Sequence, residues 1–297
     1  MDERGLLREI EPVAGELLNR HLGVAKEWFP HEMVPYSRGK DFEPGKPWSE
    51  NDSDFGVGND VMSDAVRGSL FVNLLTEDNL PYYFRDIDQL FGNDGAYGEW
   101  GRNWTAEEGR HSIVIRDYLT VTRAIDPVDL ERARMQQVRG GQVPAPLDLY
   151  EALAYLSMQE LATRIAHRNT GKLMTDKVGE AIMSRVGNDE NLHYLFYRDL
   201  TTAAIAVDPS NMVIGIERAV RTFAMPGTGI PDFERLSREI ARLGVYDLLI
   251  HHDQILVPVV LRHWKLAELT GLNAEAERAR DALIKRIERI GKVGAKL

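Results

Sequence analysis

Two short segments of this chain repeat one arrangement: Glu108-Gly109-Arg110-His111 and Glu190-Asn191-Leu192-His193, each a Glu-x-x-His. Residues three apart on an α-helix project from the same side, so each segment presents a carboxylate and an imidazole together. Two such helices face to face offer a Glu and a His to each of two metal ions. Two more inward glutamates, on two more helices, would complete a dinuclear carboxylate site. Glu77 and Glu160 are the candidates. A donor set of oxygens with two imidazoles suits iron and dioxygen chemistry, with manganese as the alternative.

The elements that must carry these residues follow from the spacing. Glu77 to Glu108 is 31 residues and Glu160 to Glu190 is 30, each the length of one long helix, a turn and a return to the same level. Glu108 to Glu160 is 52, enough for a crossover between two helix pairs, and the glycine and proline break at 140–146 falls inside it. These intervals describe an antiparallel four-helix bundle of the ferritin-like kind. A lone Glu-x-x-His is usually a solvated helix face. Here Leu70, Leu74 and Leu75 precede Glu77, and Leu153, Leu156 and Leu161 surround Glu160, so the carboxylates turn inward, where burial demands a compensating cation or proton.

Apolar periodicity predicts helices over about 9–26, 60–91, 98–123, 147–169 and 176–204, with Asp126-Pro127 opening a shorter one to about 139. An irregular arm spans about 35–59, and Trp28 and Trp48 argue that it packs onto the body. The last ninety residues carry helical patterns at about 209–222, 231–243, 245–264 and 274–290. We expect a mainly α fold: a ferritin-like antiparallel four-helix bundle with additional flanking helices. The whole chain reads as one domain, divided into an N-terminal helix and arm (1–59), a catalytic core (60–204) and flanking helices (205–297). His251, His252 and His263 read as ordinary core or surface histidines.

Composition removes several alternatives. The 297 residues include no cysteine, which excludes disulfides, thiolate metal sites and thiol nucleophiles. A formal charge of −10 and a pI near 5.4 set nucleic-acid binding aside. No apolar run is long enough to span a bilayer, and the N-terminus does not read as a signal peptide. A cytoplasmic protein is the expectation.

Around the candidate ligands the chain resembles the soluble acyl-ACP desaturases of plants and actinobacteria, most closely the actinobacterial branch. The stretches that carry the resemblance are Thr76-Glu77-Asp78-Asn79-Leu80-Pro81, Trp104-Thr105-Ala106-Glu107-Glu108-Gly109-Arg110-His111, Gln159-Glu160-Leu161-Ala162-Thr163, His167-Arg168-Asn169-Thr170-Gly171 and Asp189-Glu190-Asn191-Leu192-His193. The resemblance implies two iron ions per chain, one on Glu77, Glu108 and His111 with a bridging carboxylate, the other on Glu160, Glu190 and His193. It matches Thr163 to a threonine beside the dioxygen site, where a hydroxyl relays protons or only bonds its own helix backbone. It also matches Trp28 and Asp189 to a Trp–Asp–His string, by which Asp189 supports His111. Glu107 is expected in a supporting or exposed position. Gly109 and Ser112 stand where the family usually has Asn and Gly.

By that resemblance the reaction is an oxygen-dependent desaturation of a fatty acyl chain held on acyl carrier protein. The two electrons come from outside, from a ferredoxin-type donor, and the assembly is a homodimer. An apolar slot should hold the chain, with Leu153 and Ser157 as expected lining residues. Because carrier protein is acidic, a local basic patch is expected, with Arg67, Arg116 and Lys172 as candidates. Two rival readings share the ligands: a ferritin-like iron-binding or ferroxidase protein, and a di-iron hydroxylase of acyl chains.

Overall fold

Six of the helices begin on an aspartate whose side chain accepts a backbone N–H of the first turn: Asp2, Asp126, Asp148, Asp176, Asp208 and Asp247. Each such cap satisfies one of the amides that a helix start leaves unpaired. The computed structural model describes residues 1–55, 62–141, 143–144, 146, 148–225, 227, 230 and 232–297. Its helices are α1 (Glu3–Val24), α2 (Pro30–Met33), α3 (Asp64–Glu77), α4 (Leu80–Phe91), α5 (Gly95–Val121), α6 (Pro127–Gly140), α7 (Leu149–Leu173), α8 (Lys177–Val207), α9 (Pro209–Thr222), α10 (Phe233–Arg242), α11 (Leu248–His251) and α12 (Ala274–Gly294). No strand occurs among the described residues. The expected boundaries at 56–60, 147 and 231, and parts of the 140–146 break, lie outside the described residues.

The mainly α expectation holds. α7 packs along α8, α8 against α5, α5 against α3 and α3 against α7, which closes the four-helix ring. α1 lies across α5 and α8 on an apolar row of Leu6, Ile10, Ala14, Leu17 and Leu18. The arm after it is pinned by buried Trp28 and Phe55 and by a hydrogen bond from Trp48 Nε1 to the carbonyl of Arg123, 3.1 Å long. On the other side α9 packs on α7, and α12 on α9. α11 opens into a π-helical stretch, His252–His263, with Pro258 inside it, where a plain helix was expected.

One expected helix is two. The run predicted over 60–91 breaks at Asp78–Asn79, directly after Glu77. Pro81 has no N–H to return to the carbonyl of Glu77 four residues earlier, and it starts a new helix better than it continues one. Arg134 of α6 holds the break through a paired contact on Asp78, at 2.6 and 2.9 Å. No helix of the described residues is long and apolar enough to cross a membrane.

Candidate metal centre

α3 brings Glu77, α5 brings Glu108 and His111, α7 brings Glu160, and α8 brings Glu190 and His193 into one buried cluster. None of the six residues is more than 7% exposed. Two sets of ligand atoms lie within 4.8 Å of one another: Glu77, Glu108, His111 and Glu190; and Glu108, Glu160, Glu190 and His193. Glu108 and Glu190 belong to both. The resemblance implies a bridging carboxylate, and these two stand where a carboxylate could serve both sets.

Both imidazoles turn the same nitrogen inward. His111 Nδ1 is 3.2 Å from Glu108 Oε2, 3.2 Å from Glu190 Oε1 and 3.8 Å from Glu77 Oε2. His193 Nδ1 is 2.8 Å from Glu108 Oε1 and 3.8 Å from Glu160 Oε2. Outward, His111 Nε2 lies 3.5 Å from Asp189 Oδ2, which accepts the Trp28 indole N–H at 2.7 Å. His193 Nε2 lies 2.8 Å from Glu107 Oε2. Glu107 is thus half-buried against one of the two imidazoles, and Asp189 is buried beside the other.

These residues fit a metal pair. A carboxylate only accepts, so Glu107 requires the hydrogen of His193 on Nε2, and a neutral ring then turns a lone pair from Nδ1 toward Glu108. That nitrogen is buried and makes no hydrogen bond. A lone pair facing a carboxylate oxygen at contact distance calls for a cation between them. Four carboxylates at the cluster also match two divalent ions in charge.

Without that charge the protons must be redistributed. Burial pushes the Glu160 carboxyl well up and the Glu108 carboxyl up, and the Glu190 charge adds to both. Burial acts most strongly on Glu77 and Glu190 too, but His111 and His167 together outweigh it and hold both below the usual carboxylate range. Burial disfavours a charged imidazole, yet the carboxylates around His111 and His193 push both well above the ordinary histidine value.

A narrow cavity reaches this cluster. Ile87, Leu90, Trp104 and Leu156 give it apolar walls, and Glu77, Glu108, Glu160 and Glu190 also line it. Leu153 and Ser157 do not. Both are fully buried, and Ser157 Oγ bonds the Leu153 carbonyl at 2.8 Å and Thr201 of α8 at 3.1 Å. At 100° per residue, Tyr155, Leu156, Gln159 and Thr163 fall to one side of Glu160, and Leu153 and Ser157 to the other. The expectation took the wrong side.

Thr163 lies on the cavity wall, its Oγ1 2.9 Å from Glu190 Oε2, 3.0 Å from the Glu160 carbonyl and 3.1 Å from the Gln159 carbonyl. Both readings of this hydroxyl therefore have a partner in place. Sequence reasoning assigned no role to His167, whose Nε2 is 3.0 Å from Glu77 Oε1, or to Trp104, whose indole N–H is 3.2 Å from Glu160 Oε1. Their positions carried a signal: His167 is two turns beyond Glu160, and Trp104 one turn before Glu108. Of the basic-patch candidates, Arg67 is held by Asp64 and Glu50, and Arg116 by Glu131 and Asp117.

The family model for "Fatty acid desaturase" matches residues 2–297. DesA1 of Mycobacterium tuberculosis, named as an acyl-[acyl-carrier-protein] desaturase, is 42% identical over 288 residues, 94% of this chain and 83% of its own length. The chloroplastic acyl-[acyl-carrier-protein] desaturase 6 of Oryza sativa subsp. japonica is 32% identical over 241 residues, 74% of this chain and 57% of its own. The crystal structure of DesA2 from Mycobacterium tuberculosis H37Rv superposes with a TM-score of 0.72, covering 93% of this chain and 99% of that one at 23% identity. The backbone described above is thus shared with the DesA2 structure, and by its sequence the chain belongs to the fatty acid desaturase family.

Proposed function

We propose that this chain is an acyl-[acyl-carrier-protein] desaturase. It takes two hydrogens from adjacent methylenes of a bound fatty acyl chain and leaves a cis double bond, with two iron ions held by Glu77, Glu108, His111, Glu160, Glu190 and His193. The overall change is R–CH2–CH2–R′ + O2 + 2e⁻ + 2H⁺ → R–CH=CH–R′ + 2H2O. The observation that carries the reading is the juxtaposition of an apolar cavity with a buried carboxylate cluster in which Glu108 and Glu190 belong to both candidate ligand sets.

Bound iron would supply the redox capacity to use dioxygen on an unactivated C–H bond. The chain's own residues do the rest. Ile87, Leu90 and Leu156 hold the acyl chain and exclude water. Asp189 and Glu107 fix the two ligand imidazoles through their outer nitrogens. Thr163 offers a hydroxyl beside Glu190, on the cavity side, for a proton. Trp28, with its ring 6.4 Å from and nearly parallel to that of His111, gives electrons from a ferredoxin-type donor a way in. The partners of this reading are acyl carrier protein, that donor and a second copy of the chain, in the cytoplasm.

The test is incubation of the iron-loaded protein with an acyl carrier protein substrate, reduced ferredoxin and dioxygen, followed by mass analysis of the acyl group. Loss of two hydrogens is expected. Gain of one oxygen would identify a hydroxylase, and iron oxidation with an unchanged acyl group a ferroxidase.

A further inference from the structure

The two ligand histidines are each backed by a carboxylate, and each carboxylate by a third group from the first 28 residues. For His111 that series is Asp189 and then Trp28. For His193 it is Glu107 and then His21, whose Nε2 lies 3.2 and 3.1 Å from the two Glu107 oxygens. Arg110 stands between the strings, 3.4 Å from Asp189 and 3.9 Å from Glu107.

His21 is an odd residue for its place. The buried residues of α1 are otherwise apolar, and His21 continues their row one turn after Leu17 and Leu18. Packing alone would accept a leucine there. The imidazole is 3% exposed, lies edge-on to Trp100 at 5.1 Å and stacks on the His193 ring at 5.9 Å. Its Nδ1 is buried without a hydrogen-bond partner among the described residues. Burying a polar nitrogen unsatisfied is unfavourable, and the polar contact that the ring makes is the one to Glu107.

We propose that His21 is a positioning residue for the metal site: its Nε2–H holds Glu107, and Glu107 in turn fixes the tautomer and ring plane of His193. Without that hydrogen bond Glu107 is free to swing toward Arg110, and the His193 ring loses its outer restraint. The consequence falls on the ion that His193 would share with Glu160, since the other histidine, His111, faces Asp189 instead, 3.5 Å away. Helix α1 thereby takes part in metal binding although it contributes no ligand. The inference rests on the reading of the carboxylate cluster as a two-metal site.

The experiment is titration of the full-length metal-free protein with cobalt(II), comparing the wild type with His21→Leu and His21→Gln. Visible absorption counts the bound ions. Proton NMR follows the shifted, exchangeable Nε2–H of the ligand imidazoles. Thermal melting of each metal-free variant checks the fold. The wild type is expected to bind two ions. His21→Leu should bind one of them about 10- to 100-fold more weakly, as loss of support to a ligand does elsewhere, and one imidazole N–H should exchange faster with water. His21→Gln, which keeps a donor, should stay close to wild type in both readouts. Two ions bound by His21→Leu with unchanged affinity and unchanged N–H exchange would overturn this inference and leave the metal reading intact. Failure of the wild type itself to bind cobalt would overturn both. If His21→Leu melts early, a normal His21→Gln supports the donor role, and a His21→Gln that folds but loses the ion overturns it.

Discussion

The four-helix ring and the C-terminal layer each bury a histidine, and the two behave oppositely. His193, in the ring, faces Glu107, Glu108 and Glu160, which push it well above the ordinary histidine value despite burial. His251, at the end of α11, has its Nδ1 2.8 Å from the Tyr246 hydroxyl and stacks on Phe223, and burial pushes it down to about 4. The residue type and the degree of burial are alike. What distinguishes the candidate metal site from a packed interior is the carboxylates turned toward the ring, and those come from other helices.

The largest difference should appear when each ring is replaced by phenylalanine in the metal-free protein. His193→Phe leaves buried carboxylates without their counter-charge and should lose about 3–5 kcal/mol in urea unfolding. His251→Phe, a swap into an apolar contact with Phe223, should stay within about 1 kcal/mol. Equal losses would erase the distinction.

α7 serves both regions, with one side on the cavity and the other on the interior of the fold. Leu156→Trp should fill the cavity and cut turnover of longer acyl chains by about 10- to 200-fold relative to shorter ones, the range for small volume changes in an apolar pocket. Leu153→Ala should cost about 2–5 kcal/mol of stability and leave the chain-length preference unchanged. A chain-length series with both variants checks the pair.

Acid should act on the two histidines with opposite sign. His251 has a folded value below its unfolded one, so the stability it permits is present above about pH 6.5 and lost as pH falls toward 4. Between pH 7 and 5 the wild type should lose about 2 kcal/mol that His251→Phe does not. His193 has a folded value raised above the unfolded one. In the metal-free protein its contribution is full below about pH 6.5 and is lost as pH rises through the raised value. Unfolding curves of the metal-free proteins across pH 5–9 separate these slopes.

The smallest effect contrasts two glycines. A Cβ at Gly109 in α5 meets nothing within 4 Å, so Gly109→Ala should gain about 1 kcal/mol of helix propensity without changing metal content. A Cβ at Gly215 in α9 would come 2.6 Å from the Tyr150 backbone, and Gly215→Ala should destabilise. Thermal melts with metal analysis test both.

Much of the site was legible in the chain because its geometry is helical and local. The i,i+3 relation of Glu108 to His111 and of Glu190 to His193 needs no tertiary information, and the 31- and 30-residue intervals carry the ligand levels. Residue types hold less about which neighbour a helix side meets. Leu153 and Leu156 have the same apolar character, and only the placement of α4 and α8 around α7 assigns one to the interior and the other to the cavity. Glu107 reads as a spare acid beside Glu108 until α8 brings His193 to it. The break after Glu77 was readable from Pro81, but the apolar periodicity running across it masked the stop.

The central claim is that Glu108 and Glu190 are shared between two metal positions whereas Glu77 belongs to one. Iron per chain, counted after anaerobic loading of the wild type, Glu190→Ala and Glu77→Ala, tests it most directly. Two ions in the wild type, near none in Glu190→Ala and one retained in Glu77→Ala is the expected result. A wild type holding fewer than two, or a Glu190→Ala variant that keeps both, would contradict the sharing of Glu108 and Glu190 and the desaturase chemistry built on it.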